Sequence, residues 1–257
     1  MEHENSRKKS GGRYRVLVAL IALLGSMAAF AEPKPVLMVI ANQDFYWQEY
    51  ATTRAQLEAH GLEVVVAAAT TETAYPQGPQ TWPTVKPDLA LSDVNPDDNS
   101  AIVFIGGYGA SQYQYDFPGS YDEPDYQPAT RFARVVNNTI YGFSVDNKPV
   151  AAVCYGVSVL AWARVDGQSL IRGRVVTGFE GGVPGFRLNG TTYPDAEVPL
   201  RWFVEKNGGT MLTSRSVGDP MSSHDDVVVD GNIVTAENYD SAALLAEVMA
   251  QMIAAQQ

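Results

Sequence analysis

Short unbroken apolar stretches recur along the chain: VLMVIA at 36–41, LEVVVAAAT at 62–70, AIVFIGG at 101–107 and VAAVC at 150–154. Their length and absence of polar alternation predict strands covered on both faces. Between the first two, the loop NQDFYW leads into a helical pattern up to LEAHG, where Gly61 is placed to end the helix. A right-handed crossover makes the two strands of this βαβ unit parallel neighbours. Residues 71–100, rich in Pro, Thr and Asp, predict a long surface excursion with a short strand and a helix start at Ser92-Asp93. A helix is expected from about Pro128 to Phe143. Further on, LIRGRVVTGF (170–179) predicts a turn and a strand, EGGVPGFRLNGTTYPDA a long irregular stretch, and PLRWFVEKNGG a short helix with a glycine stop. VVVDGNIVTA (227–236) reads as a hairpin joined through Asp230-Gly231. The last helix begins at Ser241 and repeats apolar residues at Leu244, Leu245, Val248 and Met252. No internal repeat or low-complexity tract interrupts the pattern. The predicted class is α/β: a mainly parallel, flavodoxin-like sheet sandwiched between helices, with a C-terminal β-hairpin.

The first thirty-one residues break this alternation. A basic stretch, RKKSGGRYR, precedes the apolar run VLVALIALLGSMAAF and small residues ending Ala29-Phe30-Ala31. These are the three parts of a secretory signal, and cleavage after Ala31 is expected. The apolar run, about 15 residues, is shorter than the roughly 20 needed to span a bilayer. The expected product is a periplasmic or secreted chain, 32–257, forming a single domain with no stable membrane span. The whole chain carries a formal charge of −11, and losing a leader of +3 leaves −14. Such a surface repels phosphate backbones, so nucleic acid is not an expected partner.

One cysteine, Cys154, is present, so no intrachain disulfide forms. It stands at the join of the VAAVC strand and the following apolar run, where a strand turning into a helix lifts a residue above the carboxyl edge of the sheet. Unpaired amides and the helix dipole at that point favour thiolate over thiol, which predicts a lowered Cys154 pKa. The N–H groups of Tyr155 and Gly107 are the candidates to hold an oxyanion, and Gly156 leaves room for a tight turn. The alternative is a small buried apolar residue at a strand end, a common position for cysteine.

VLMVIAN, LEAHGLEVVVAA, IVFIGGYGA, VAAVCYGVSVLA, LIRGRVVTGF and VVVDGNIVTAEN occur in the order found in the DJ-1/PfpI superfamily, a branch of the class I glutamine amidotransferase-like fold. The resemblance covers roughly 36–254, and its most specific part is the small-small-Val-Cys-x-Gly elbow followed by GRxVTGF. It implies that Cys154 is the reactive residue. It also implies one of the activities met in that superfamily, which includes peptidase- or amidase-like hydrolases, cofactor-free glyoxalases, chaperones and thiol sensors. No cofactor or metal is implied.

This chain departs from the pattern in its proton-handling groups. Many relatives have histidine after the cysteine, where Tyr155 stands; in others it lies on the strand after the elbow helix, where this chain has Gly178 or Phe179. The acid that hydrogen-bonds the thiol in relatives falls in a Phe-Glu-Asp stretch, matched here by Phe45-Tyr46-Trp47 with Asp44 just before it. Asp44 and Tyr46 are therefore candidate partners of the thiol, with loop or helix capping as the alternative for Asp44. His60 suits a helix C-terminus. His224 is either a surface residue of SSHDD or, if the second strand of the hairpin runs parallel to the sheet, a neighbour of Cys154 at the same edge. The tyrosines of YGASQYQYDFPGSYDEPDY either roof a pocket or form a homodimer contact. Two functions stay open. One is a cysteine-dependent hydrolase or glyoxalase-like enzyme acting on a small molecule or peptide. The other is a non-catalytic ligand-binding, thiol-sensing or stress protein.

Overall fold

Seven strands form the central sheet of the computed structural model, which describes residues 34–115, 130–179, 186–188, 191–193, 199–212 and 226–256. They are β1 (Val36–Val39), β2 (Val64–Ala68), β3 (Leu89–Ala90), β4 (Ala101–Phe104), β5 (Val150–Val153), β6 (Val227–Asp230) and β7 (Ile233–Ala236). Across the sheet the order is β6-β7-β5-β4-β1-β2-β3, and only β6 runs antiparallel. Each residue of β1, β4 and β5 is buried, because a parallel strand between two helix layers has no solvent face. The helices are α1 (Trp47–Ala59), α2 (Thr130–Val145), α3 (Val157–Trp162), α4 (Pro199–Lys206) and α5 (Ala242–Ala254). Helix α1 packs on α5, and α3 on α4.

Local chemistry sets the boundaries. The buried residues of α1 include Glu49, Thr53 and Leu57, a stripe at a spacing of four. The helix ends as the sequence predicts, with Gly61 at φ 77 and the Leu62 N–H donating to the Leu57 carbonyl at 3.1 Å. In the C-terminal hairpin Asp230 pairs with Ile233, so the turn is Gly231-Asn232, one residue later than anticipated, with Gly231 at φ 65. The stretch expected to be irregular contains a short antiparallel pair, Phe186–Leu188 with Thr191–Tyr193. The intervening Asn189-Gly190 is a strong two-residue hairpin signal in the sequence.

The excursion at 71–100 shapes the site. Its strand Tyr75–Gln77 pairs in parallel with Gln43–Tyr46, in the loop after β1, and a bulge interrupts the pairing at Asp44, whose φ is 62. The excursion is thereby folded back to the carboxyl edge of the sheet, next to the ends of β4 and β5. Among the described residues, no helix is long and apolar enough to cross a membrane.

Candidate active site

Cys154 follows β5 directly and has φ 56, a left-handed conformation that few non-glycine residues adopt. Residues Cys154–Gly156 form a single 3-10 turn that leads into α3. A β-carbon at Gly156 would lie 2.6 Å from the Phe104 carbonyl oxygen of the neighbouring strand end, so only glycine lets the turn pack this closely. Gly156→Ala is accordingly expected to lower unfolding stability by about 1–3 kcal/mol, measured by urea titration. Unchanged stability would show that the turn is not held against β4.

The elbow lifts the sulfur to the floor of a cavity of about 210 Å³, bordered by Tyr46, Glu49, Gln77, Gly107, Tyr108 and Tyr155 and closed by Phe179, Asn238 and Tyr239. Cys154 is 8% exposed, so it is packed on most sides and open on one. The N–H groups of Tyr155 and Gly107, the pair anticipated from the sequence, are close enough to the sulfur to favour its anionic form. The anticipated lowering of the thiol pKa is not what the surroundings produce. Burial, then the Glu49 carboxylate, push the Cys154 thiol up, while the two amides pull it down.

Glu49 is the residue that sequence reasoning missed. It lies in the first turn of α1, is 1% exposed, stands beside the Cys154 thiol at the cavity and accepts the Gly106 N–H at 3.0 Å. Matching Phe45-Tyr46-Trp47 to the acidic stretch of relatives stopped short of this residue. The available signal was an acid opening a helix that starts at the ligand edge of the sheet. Burial pushes the Glu49 carboxyl up to about 8, so near neutral pH it holds its proton beside the sulfur.

Asp44 is not brought to the thiol: it is exposed at the bulge and does not border the cavity. Tyr46 is brought there. Its backbone N–H donates to the Gly106 carbonyl at 3.0 Å, and its ring lies against Trp82 and Tyr239, with centroids 5.5 and 6.0 Å away. Burial raises the Tyr46 phenol, with Glu49 adding to the effect. Of the tyrosine-rich segment, Tyr108 borders the cavity, whereas Tyr113 is a core residue whose hydroxyl donates to the Ile40 carbonyl and accepts from the Ala69 N–H, both at 2.9 Å. Positions 116–126 of that segment lie outside the described residues, as does His224. Strand β7 does run parallel to β5, and the residues after it bring Asn238 and Tyr239 to the cavity. His60 is the only histidine among the described residues and is exposed at the end of α1. No group of three or more His, Cys, Asp and Glu side chains suited to a metal ion occurs among the described residues.

Chemically, the arrangement presents a sulfur at an open helix start, two amides on it, and a protonated carboxyl in contact with it. These groups suit addition to a carbonyl carbon, with negative charge developing on its oxygen. A family model described as the DJ-1/PfpI family matches residues 34–252. An uncharacterized protein of Methanocaldococcus jannaschii is 28% identical over 243 residues, covering 90% of this chain and 92% of that protein. A deglycase of Pyrococcus abyssi is 28% identical over 185 residues, covering 71% of this chain and 90% of that protein. Among solved structures, a ThiJ/PfpI domain protein of Brachyspira murdochii superposes with a TM-score of 0.61 at 20% identity, covering 87% of this chain and 98% of that one.

Proposed function

Because the chain belongs to the DJ-1/PfpI family, we propose that it is a cysteine-dependent enzyme that works without a cofactor on small carbonyl or amide compounds. The observation that carries this reading is the joint placement of Cys154, Glu49 and the Gly107 and Tyr155 amides at the floor of one cavity. In the first step Sγ bonds to the carbonyl carbon and the π pair moves to oxygen, within reach of the two N–H groups. The Glu49 carboxyl gives its proton to that oxygen and takes the one that leaves Sγ, so S–H has added across C=O with no other reactant. The name of the Pyrococcus abyssi relative, a deglycase, supports a carbonyl-derived substrate. The cavity volume favours small compounds or a single side chain of a peptide over an extended chain.

The test is incubation with a panel of small aldehydes, ketones and amides, with turnover followed in solution and the protein weighed by mass spectrometry. Turnover together with an adduct confined to Cys154 is expected. Turnover with no adduct on any substrate, even at short times, would point away from covalent catalysis. A second reading, a binding or thiol-sensing protein, is favoured by one observation: among the described residues that border the cavity there is no histidine to serve the thiol as a base. An alkylatable Cys154 that oxidises reversibly, with no turnover across the panel, would select it.

The basic, apolar and small-residue pattern of the first thirty-one residues supports export, with the mature chain starting at Glu32 in the periplasm or outside the cell. Mass spectrometry of the protein recovered from an exporting host reads the cleavage site. The family resemblance supports a homodimer, which light scattering measures.

A further inference from the structure

The cavity above the sulfur is walled largely by aromatic rings, and further rings brace them. Tyr46, just before α1, and Tyr239, just before α5, meet with centroids 6.0 Å apart and planes at 31°, where those two helices pack together. Trp82, which does not itself border the cavity, stands edge-on to Tyr46 at 5.5 Å. A second wall follows the helix pair α3 and α4. Tyr108 lies edge-on to Tyr155 at 6.2 Å, Tyr155 to Phe203 of α4 at 6.5 Å, and Phe203 to the buried Trp162 of α3 at 5.5 Å. Phe179 adds a fifth ring to the border. Rings braced in this way keep the space between them open, because none can fall into it without leaving a packed neighbour.

Charge is distributed just as unevenly. Among the described residues, no Lys, Arg or His borders the cavity. The Tyr46 and Tyr108 phenols are raised and neutral, Glu49 holds its proton near neutral pH, and the whole chain carries −11. A carboxylate entering here would exchange its hydration for electron-rich ring faces with no cation to meet it. An uncharged aryl group would instead gain by burying apolar surface. A dry cavity of about 150 Å³ is enough to hold benzene. This one, of about 210 Å³, leaves room for a ring and the carbonyl joined to it.

We infer that the cavity selects carbonyl compounds bearing an uncharged aryl group beside the reacting carbon, held against the Tyr46, Tyr239 and Tyr108 rings, and rejects compounds that carry a carboxylate in that place. The inference deepens the reading of Cys154 as nucleophile and rests on it.

The sulfur itself reports which groups the cavity admits, so the test does not require turnover. Cys154 is the sole thiol, and at pH 7 Glu49 is largely uncharged, so its charge cannot supply the selection. Alkylation by iodoacetamide, iodoacetate and N-phenyl iodoacetamide is followed by mass spectrometry, with the urea-unfolded chain as the reference for an open thiol. Working in 1 M salt, where the Debye length is about 3 Å, removes the field of distant charges. Relative to the unfolded chain, the folded protein is expected to favour iodoacetamide over iodoacetate about tenfold, because the carboxylate finds no partner. It should favour the phenyl probe over iodoacetamide by about tenfold as well, from burial of the ring. Gln77→Lys brings a cation to the border and should restore iodoacetate about tenfold relative to iodoacetamide. Tyr239→Ala removes part of one wall and should cut the phenyl preference severalfold. Ratios are taken within each protein, so a change in the reactivity of the thiol cancels. Gln77 and Tyr239 are part-exposed, so neither change is expected to prevent folding. If either preference is missing in the parent, the inference falls, whatever compounds the protein turns over. Both preferences in a protein without turnover would instead sink the enzymatic reading and leave the selectivity standing.

Discussion

Cys154→Ala is expected to abolish turnover while leaving the fold intact, the largest activity change any single side chain here would cause. Among the described residues bordering the cavity, no other is a competent nucleophile. The Tyr46 and Tyr108 phenols are both raised by burial and so stay neutral, and Glu49 holds its proton near neutral pH. Removing the attacking atom from such a site should reduce turnover by on the order of 10³-fold or more. The stability arm of the same experiment tests the elbow. Alanine keeps a β-carbon at φ 56 and so keeps the strain, whereas Cys154→Gly relieves it. The glycine variant should therefore be more stable to urea than the alanine variant by about 1 kcal/mol, the low end of what a left-handed residue costs. Retained turnover in Cys154→Ala would remove the nucleophile from the mechanism, and a glycine variant weaker than the alanine one would remove the strain from the elbow.

How much of this was readable beforehand depends on the range of the forces involved. The four apolar runs became β1, β2, β4 and β5 because a strand buried on both faces must be apolar throughout, a constraint written in consecutive residues. Cys154, Gly107 and Tyr155 were legible for a related reason: the ends of adjacent parallel strands lie side by side, so strand order brings them together. Glu49 was not legible as a partner of the sulfur. Its role depends on the angle at which α1 leaves the sheet, and that angle is set by the bulge at Asp44 and the pairing of Gln43–Tyr46 with Tyr75–Gln77. The same long-range pairing turned Asp44, the nearer acid in sequence, out to solvent. The thiol pKa was misjudged because the amides that lower it are local to the elbow, while the burial and the carboxylate that raise it come from α1.

The second large effect is a pH-dependent stability that Glu49 alone imposes. Its carboxyl is raised from 4.5 to about 8 in the folded protein, so between those values the native state keeps a proton that the unfolded chain has released. Stability therefore falls as pH rises through that window and is level, as far as this group is concerned, below pH 4.5 and above about pH 8. One pKa unit corresponds to about 1.4 kcal/mol, so the whole fall is on the order of 3–5 kcal/mol. Glu49→Gln keeps the shape and stays neutral at every pH. The variant and the parent should have similar urea midpoints near pH 4.5, and the variant should become the more stable by that amount near pH 8.5. Apart from Cys154 and Tyr46, on which Glu49 acts directly, the other ionisable groups titrate alike in both proteins and cancel in the difference. In alkylation the two should react alike below about pH 7.5, where Glu49 is uncharged. Above pH 8 the parent should lag, because its carboxylate then opposes formation of the thiolate. Parallel stability curves from pH 4.5 to 8.5 would mean that Glu49 ionises as freely in the fold as in water. If the predicted divergence is found, a buried acid that weakens the fold at the pH where the thiol is most reactive has been kept for what it does to the sulfur.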